Sequence, residues 1–303
     1  MTDALTPLLD AFRLNASVFE RARFCGDWAL THTGGEQASF HLVTSGRCWL
    51  DRRDGTQPMA LDPGDLLVLP RDAPHRLGPA SEIGADREPE RMPLAEPGAG
   101  TGLICGYFAF DEGTRNPLLD ALPDYLLLHD ADTRGNAAMR SLLALLVAEA
   151  GREEEGSVAM INRLSDALFI EVVRHHLRTA DAPAGLLAGL ADPVVGRALR
   201  AIHTRPDQQW TLPELARESA AARSTLAARF RDTMQVGPMT YLYRWRMQLA
   251  RRWLRDGESV ARVAERCGYA TESGFAKAFA RYYTEGPGAV RRRGRPAGAA
   301  THG

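Results

Sequence analysis

Residues 260–293 read VARVAERCGYATESGFAKAFARYYTEGPGAVRRR, and this stretch decides the fold of the last third of the chain. The apolar face of a short first helix is followed by Gly268, a turn residue, and then by Phe275 and Phe279, which form an i, i+4 apolar pair. The pattern predicts a helix, a tight turn and a second helix whose opposite face is left open.

The same plan occurs upstream, in the stretch WTLPELARESAAARSTLAARF of residues 210–230. Leu226 and Phe230 repeat the i, i+4 pair on its second helix. Between the two copies, residues 239–255 form a continuous helical pattern, which corresponds to a spacer about 25 Å long. Such a spacer would hold the two outer helices about one turn of duplex DNA apart on one face of the chain.

The charge of the chain is divided unevenly. Residues 195–303 hold 20 Lys and Arg against 9 Asp and Glu, whereas residues 1–194 hold 17 against 29, so the net charge of −1 hides a basic and an acidic half. Neutralising phosphates releases their counterions, and a basic half therefore suits a polyanionic partner. The charge favours nucleic acid as the partner of the last third, and the alternative is a solvated basic surface.

The last third resembles the AraC/XylS family of transcription regulators. That family shows an Ile/Val-Ala start, a Gly-Tyr turn, a Ser-x-Phe helix and an ending with Pro and Arg. The matching residues are Val260 with Ala261, Gly268 with Tyr269, Ser273 with Phe275 and Phe279, and Pro287 with Arg291. Val290 departs from the aromatic residue that is common at its position. The resemblance implies a DNA-binding domain with two helix-turn-helix units.

Helix geometry, together with this resemblance, predicts the DNA contacts. The outward faces of the two reading helices carry Arg223, Ser224, Ala227 and Ala228 in the first, and Glu272, Ser273, Ala276, Lys277 and Arg281 in the second. Glu272 is suited to cytosine and Lys277 to guanine or phosphate, whereas alanine offers only a methyl contact. The predicted phosphate contacts are Arg229, Arg244, Arg246 and the arginines from Arg291 onward.

The first half shows short apolar runs between Gly, Pro and Asp turns, which predict an antiparallel sheet. The segment GDLLVLPRDAPH, from Gly64 to His75, resembles the second motif of cupins, while the first motif is eroded around Gly35 and His41. The resemblance implies a double-stranded β-barrel without a complete catalytic metal centre. His41 and His75, with His32 as a third ligand, are candidates for binding a metal ion, and the alternative is that they are ordinary packing residues.

Four cysteines are present, and none belongs to a CxxC pair. The contexts FCGDW, HRL and ICGYF resemble the cupin-sensor subgroup of AraC-type regulators, to which reactive-chlorine sensors belong. The resemblance implies that Cys25 and Cys105 sense an oxidant, and the alternative is that both are small buried apolar residues. Cys48 and Cys267 are expected to be packing residues.

After residue 116 the spacing of apolar residues becomes helical, and two amphipathic segments end near residue 178. The predicted fold class is α+β with two domains. Its parts are a cupin-like sensor barrel at 1–115, a helical dimerisation segment at 116–182, a linker at 183–194, and an all-α AraC-type domain with two helix-turn-helix units at 195–303. The expected dimer stripes include Leu142, Leu146, Leu164 and Leu168.

These expectations describe a cytoplasmic, sequence-specific transcription regulator that forms a homodimer and, as an activator, contacts RNA polymerase. No apolar run is long enough to cross a membrane, and no secretory signal is evident. The signal at the barrel is either an oxidant or a small molecule. A metal-dependent cupin enzyme is the alternative, and the eroded first motif and the lack of a convergent catalytic set disfavour it.

Overall fold

Short alternating strands and long amphipathic helices separate into two units in the computed structural model. It describes residues 3, 5–35, 37–96, 98–110, 116–179 and 185–294. We call residues 14–110 and 116–179 the barrel unit, and residues 5–13 together with 185–294 the helical unit. Within the described residues, no helix is long and apolar enough to cross a membrane.

The barrel unit contains two antiparallel sheets. The strands are β1 Asn15–Cys25, β2 Leu30–His32, β3 Ala38–Ser45, β4 Cys48–Asp51, β5 Met59–Leu61, β6 Leu66–Leu69, β7 His75–Gly78, β8 Glu90–Met92, β9 Thr101–Ala109 and β10 Leu126–Leu128. One sheet has six strands in the order β10-β6-β3-β9-β1-β8, and the other has four in the order β2-β7-β4-β5.

The core of the barrel unit takes residues from both sheets. Phe24, Leu103 and Leu67 come from the larger sheet, and Leu50 and Leu77 come from the smaller one. All five side chains are buried. The apolar runs of the sequence therefore face inward between the two sheets, as expected for a cupin-like barrel.

Four helices complete the barrel unit: α2 Pro117–Asp120, α3 Asp130–Thr133, α4 Ala137–Ala150 and α5 Ser157–Thr179. Helix α5 lies along β1, where Asp166 accepts the backbone N–H of Ala16 at 2.6 Å and Asn162 accepts that of Val18 at 3.1 Å. These side chains, four residues apart on the helix, satisfy backbone donors that β8 does not reach, because β8 pairs only with residues 23–25.

The helical unit contains α1 Thr6–Phe12, α6 Leu186–Ala191, α7 Val195–Thr204, α8 Leu212–Glu218, α9 Arg223–Met234, α10 Pro238–Arg255, α11 Val260–Arg266, α12 Glu272–Tyr283 and α13 Pro287–Gly294. The predicted spacer of residues 239–255 corresponds to α10, whose 18 residues span about 27 Å.

Two boundaries differ from the sequence prediction. The segment 183–194, expected to be a linker, contains α6, and Leu186 and Leu187 of that helix are buried in the helical unit. The segment 1–115, expected to be the barrel, includes α1, which belongs to the helical unit. The ring of Phe12 in α1 lies 6.1 Å from that of Trp245, and Arg13 forms a 2.7 Å ion pair with Asp256.

Candidate nucleic-acid interface

The first helix-turn-helix motif consists of α8 and α9. Thr211 caps α8 through a reciprocal pair, in which Thr211 accepts from the backbone N–H of Glu214 and the Glu214 carboxylate accepts from that of Thr211. Hydrogen bonds to Glu214 from the Thr211 side chain and backbone lower the pKa of the Glu214 carboxyl. The predicted core pair of α9, Leu226 and Phe230, is fully buried, so the opposite face of α9 is open to solvent.

The second motif consists of α11 and α12, and it is built in the same way. Ser259 caps α11 by accepting from the N–H of Arg262 at 3.3 Å, and Thr271 caps α12 by accepting from that of Gly274 at 3.1 Å. The rings of Phe275 and Phe279 are buried 5.6 Å apart. The buried aromatic pair anchors α12 and turns its other face outward.

Most of the predicted DNA contacts lie on these outward faces. Ala227 and Ala276 are half-buried, and the remaining reading-helix residues are exposed: Arg223, Ser224, Ala228, Glu272, Ser273, Lys277 and Arg281. Arg244 on the spacer is also exposed. Lys277 is the single lysine of the 303 residues, and it lies on the outward face of α12.

Four of the predicted phosphate contacts have partners within the helical unit: Arg229, Arg246, Arg291 and Arg293. Arg291 donates to the carbonyl oxygen of Gly257 at 3.3 Å, and Arg293 forms an ion pair with Glu285. Arg229 donates to Asp192 at 2.6 Å, and Asp192 also accepts the N–H groups of Val194 and Val195 at the start of α7. Burial would raise the pKa of Asp192, but the hydrogen bonds from Val195 and Arg229 outweigh it and lower the pKa. Arg229 is still exposed, so its outer face remains accessible to a phosphate.

Arg246 does not have the environment of a phosphate contact. Its Nε donates to the carbonyl oxygen of Pro206 and its Nη2 to that of Gln208, both at 2.8 Å. The side chain is half-buried, and this burial lowers its pKa. The sequence prediction for Arg246 therefore disagrees with the structure, because the guanidinium is used to hold a loop of the protein.

The residues that attach α10 to the second reading helix are not among those predicted from the sequence. The Tyr243 hydroxyl donates to the carbonyl oxygen of Ala278 at 2.8 Å, and the Tyr283 hydroxyl donates to that of Met247 at 3.3 Å. The i, i+4 spacing that identifies the core does not reveal hydroxyl contacts across two helices. The N-cap Thr271 was recognisable, since a threonine directly precedes the apolar period of α12.

In the barrel unit, His41 and His75 contact each other. Their Nε2 atoms lie 2.9 Å apart, and Nδ1 of His75 lies 2.9 Å from the carbonyl oxygen of Ala73. A carbonyl only accepts, so His75 carries its proton on Nδ1, and His41 donates from Nε2 to His75. His32 is also nearby, 2.8 Å from Asp72, but its partner is that carboxylate.

The surroundings of this histidine pair disfavour protonation. Burial and the neighbouring His75 and His32 lower the pKa of His41 well below its usual value, and burial also lowers that of His75. Within the described residues, no group of three or more His, Cys, Asp or Glu is arranged to hold a metal ion. The donor set does not fit a metal centre with three protein ligands, and binding at His41 and His75 stays a prediction.

The two predicted redox cysteines lie on neighbouring strands but far apart along them. Cys105 on β9 is opposite Glu20 of β1, whereas Cys25 follows Phe24, which is opposite Thr101. Five residues of strand separate the positions, a distance of about 16 Å. A disulfide joins Cα atoms less than about 7 Å apart, so a direct bond between these cysteines requires β1 and β9 to separate.

The cysteines also differ in environment. Cys25 is half-buried, and its thiol donates to the carbonyl oxygen of Ala99 at 3.3 Å. Burial raises the pKa of Cys105 far above its usual value and those of Cys48 and Cys267 to about 12, which keeps all three as thiols. Cys25 is therefore the accessible thiol of the four.

Comparisons with known proteins agree with both halves of this description. The family described as Cupin matches residues 3–178, and the family described as Helix-turn-helix domain matches residues 215–293. An AraC-like transcription regulator of Streptomyces antibioticus is 35% identical over 305 residues, which cover 98% of this chain and 99% of that protein.

The RCS-specific HTH-type transcriptional activator RclR of Escherichia coli is 27% identical over 298 residues, 96% of this chain and 98% of that protein. Among solved structures, the DNA-binding domain of AdpA in complex with a target DNA is 30% identical with a TM-score of 0.32, covering 35% of this chain and 99% of that one. The chain belongs to the AraC-like transcription regulators, in which a cupin sensing domain precedes a helix-turn-helix domain that binds DNA.

Proposed function

We propose that this regulator recognises its operator by placing α9 and α12 in two successive major grooves on one face of the duplex. The observation that carries the proposal is that α9 and α12 repeat one plan, each with a buried apolar pair on one face and an exposed polar face opposite. The rigid α10, about 27 Å long, joins them, and helices attached near its two ends can lie about one helical turn of DNA apart, roughly 34 Å.

Base reading is assigned mainly to α12. Glu272 and Lys277 are exposed and carry groups that suit the base edges of cytosine and guanine, and Ser273 adds a hydroxyl. In α9, Arg223 and Ser224 supply the polar contacts, while Ala227 and Ala228 supply methyl contacts to thymine. Arg229, Arg244, Arg281 and the arginines of α13 contact phosphates and set the position without selecting the sequence.

The test is selection of duplexes by the full chain from a random 30-base-pair library, followed by affinity measurements at several salt concentrations. Lys277→Gln and Glu272→Gln are expected to change the selected sequence at one position each, with a loss of about 1–3 kcal/mol for the original base pair. Arg244→Gln is expected to weaken binding to all duplexes alike and to reduce the salt slope by about 1.

The single lysine gives an independent measurement. Acetylation of Lys277 by an amine-reactive ester, followed by mass spectrometry, is expected to slow when the selected duplex is bound and to be unaffected by an unrelated duplex at high salt. An unchanged acetylation rate in the bound state would contradict the placement of α12 in the major groove.

We propose that the chain acts as a homodimer through exposed apolar residues of α4 and α5. Leu146 and Leu168 of the predicted stripes are buried inside the barrel unit, and Leu142 and Leu164 are half-buried. The large apolar side chains of these helices that remain exposed are Leu145, Val147, Val158 and Met160. Exposed large apolar side chains on two helices that pack against each other are typical of a protein interface, and we assign them to contact with a second copy of this chain.

The proposed signal is an oxidant acting first on Cys25. The accessibility of its thiol and the E. coli relative named as RCS-specific support this assignment. Cys105 reacts only after β1 and β9 separate, because it is buried and its pKa is raised. Mass spectrometry after substoichiometric hypochlorite tests this order. Modification of Cys105 before Cys25, or an unaltered transcriptional response in both Cys25→Ser and Cys105→Ser, would exclude it.

In the cell we propose that the chain is cytoplasmic, like its DNA target, and that it activates transcription through RNA polymerase. The activator name of the E. coli relative supports activation over repression. Transcription from the selected operator in vitro, with purified polymerase and with or without the regulator, distinguishes the two.

A further inference from the structure

A hydrogen-bonded bridge joins the two helix-turn-helix motifs away from their reading helices. Arg246, in the middle of α10, donates to the carbonyl oxygens of Pro206 and Gln208 in the loop that leads into α8. The next residue of that loop, Gln209, donates from its side-chain amide to the carbonyl oxygen of Gly268, the turn residue of the second motif. We call Gln209, Arg246 and Gly268 the motif bridge.

The two ends of the motif bridge are firmly anchored. The loop is fixed by Trp210, a buried residue whose indole N–H donates to the carbonyl oxygen of Arg205 at 3.0 Å. One residue later, Thr211 caps α8. On the other side, the thiol of Cys267 donates to the carbonyl oxygen of Arg246 at 3.4 Å. The motif bridge therefore acts between rigid elements.

Gly268 permits this close approach. Its φ is +72°, a conformation that favours glycine, and a Cβ there would lie 2.6 Å from Nη2 of Arg246 and 2.9 Å from the carbonyl oxygen of Asp207. Any side chain at this position would push the loop and the turn apart. The Gly-Tyr turn of the second motif thus serves a contact between motifs as well as its own fold.

Arginine suits the centre of the motif bridge for a chemical reason. The half-buried guanidinium loses hydration, and this cost is offset only while both carbonyl acceptors are held in place. Its planar fork donates in two fixed directions, which a lysine ammonium cannot do from one point. The bridge therefore resists changes in the angle between the loop and α10 as well as in their distance.

Helix α10 also contacts α12 directly, through the hydrogen bonds of Tyr243 to Ala278 and of Tyr283 to Met247. The first motif is thus attached to α10 through Arg246, and the second through Tyr243, Tyr283 and Cys267. These attachments meet within one short stretch of α10. The relative placement of α9 and α12 depends on this stretch.

We propose that Gln209, Arg246 and Gly268 are positioning residues for DNA recognition, and that the motif bridge fixes the separation and angle at which α9 and α12 meet the duplex. This inference rests on the proposed insertion of both helices into successive grooves. Its consequence is a strict preference for one spacing between the two base-contacted segments of the operator.

The experiment measures the affinity of the full chain for the selected duplex and for duplexes with one base pair inserted or deleted between the two contacted segments. One base pair rotates the second segment by about 34°, and the unaltered protein is expected to lose about tenfold in affinity. Arg246→Met and Gln209→Ala are expected to bind the original duplex more weakly and to lose only about threefold on insertion. Arg246→Lys is expected to behave like Arg246→Met.

Arg244→Met is the matched control, since Arg244 is an exposed arginine two residues away and is assigned to phosphate. It is expected to weaken all spacings by the same factor. If Arg246→Met also weakens all spacings equally, Arg246 contacts phosphate and the motif bridge does not set the spacing. Thermal unfolding shows whether the Arg246 variants fold. If they do not, Gln209→Ala provides the test, because Gln209 is exposed and its substitution disturbs no buried side chain.

The behaviour of the unaltered protein separates this inference from the proposed function. Binding to the selected duplex that is indifferent to spacing would overturn the positioning role and leave DNA binding intact. Failure to bind any selected duplex would overturn the proposed function, and the positioning role with it.

Discussion

The turns of the two motifs carry different residues at the left-handed position. Gly268 has a φ of +72°, and the corresponding residue in the first motif, Ala220, has a φ of +49°. Both turns close with similar hydrogen bonds, from Ala221 to Ala216 at 3.0 Å and from Tyr269 to Ala264 at 2.9 Å. Alanine occupies the left-handed region at a cost of about 1 kcal/mol, which glycine avoids.

Ala220→Gly is accordingly expected to stabilise the helical unit by up to about 1 kcal/mol, since relief of the left-handed strain exceeds the extra chain entropy of glycine. Urea unfolding of the full chain, followed by the fluorescence of Trp245 and the other tryptophans, measures the change. Gly268→Ala is the reverse control, and it is expected to destabilise. A lower midpoint for Ala220→Gly would contradict the strain argument.

The histidine pair makes the barrel unit sensitive to acid. The pKa values of His41 and His75 are lowered in the fold, so the unfolded chain takes up protons first as the pH falls below about 6.5. Stability is therefore fully present above pH 6.5 and is lost as the pH falls through the range below it.

We expect the thermal unfolding midpoint of the barrel unit to decrease as the pH is lowered from 7.5 to 5.5. In His41→Gln the slope should be shallower, because one of the groups that bind protons on unfolding is gone. Calorimetry at four pH values in this range tests it. Equal slopes for the variant and the original chain would show that another group dominates.

At the scale of elements, helix α12 begins at a threonine cap and carries the residues assigned to base reading. Thr271 accepts from the backbone N–H of Gly274, and loss of this bond frays the first turn, where Glu272 and Ser273 lie.

Thr271→Ala is expected to cost about 1 kcal/mol of stability and to weaken binding to the selected duplex by several-fold. Ser259→Ala, which removes the cap of α11, is the control. It should cost similar stability with a smaller effect on binding, because α11 carries no residue assigned to DNA. Equal losses of affinity in both variants would mean that the cap acts through overall stability alone.

The elements with strong periodicity could be predicted from the sequence. The spacer, expected at 239–255, is α10 at Pro238–Arg255, because its apolar period is unbroken and its ends carry clear signals. The segment 183–194 was predicted as a linker because Gly, Ala and Pro obscure the period of α6. Burial of Leu186 and Leu187 depends on α7 and α9, which no local pattern indicates.

The site residues divide in the same way. The outward faces of α9 and α12 follow from the buried pairs Leu226 with Phe230 and Phe275 with Phe279. The role of Arg246 could not be found, because an arginine on the polar side of a helix has the same pattern whether it donates to phosphate or to a carbonyl of its own chain.

At the scale of the whole molecule, the exposed apolar residues of α4 and α5 are assigned to a dimer contact. Leu145→Glu and Val158→Glu place charges there without disturbing the core, since these side chains are 56% and 60% exposed. Each is expected to weaken self-association by at least about tenfold. Burying an unpaired charge in the interface costs about 1.4 kcal/mol or more, which corresponds to this factor.

Sedimentation velocity at micromolar concentration measures this change. Met239→Glu, an exposed apolar residue of the helical unit, is the control and should leave the association state unaltered. A dimer that survives both substitutions in α4 and α5 would place the contact elsewhere on the chain.

The helical unit is assembled from two distant stretches of chain, since α1 packs near α10 through Phe12 and Trp245. Arg13 and Asp256 are 243 residues apart, so at 5–20 residues per second the ribosome adds the second partner roughly 10–50 s after the first. During synthesis, the apolar side of α1 stays exposed until α10 has been synthesised, and chaperones can bind it in that interval. In a nascent chain stalled before Trp245, the barrel unit would be folded while the apolar side of α1 remained exposed to solvent.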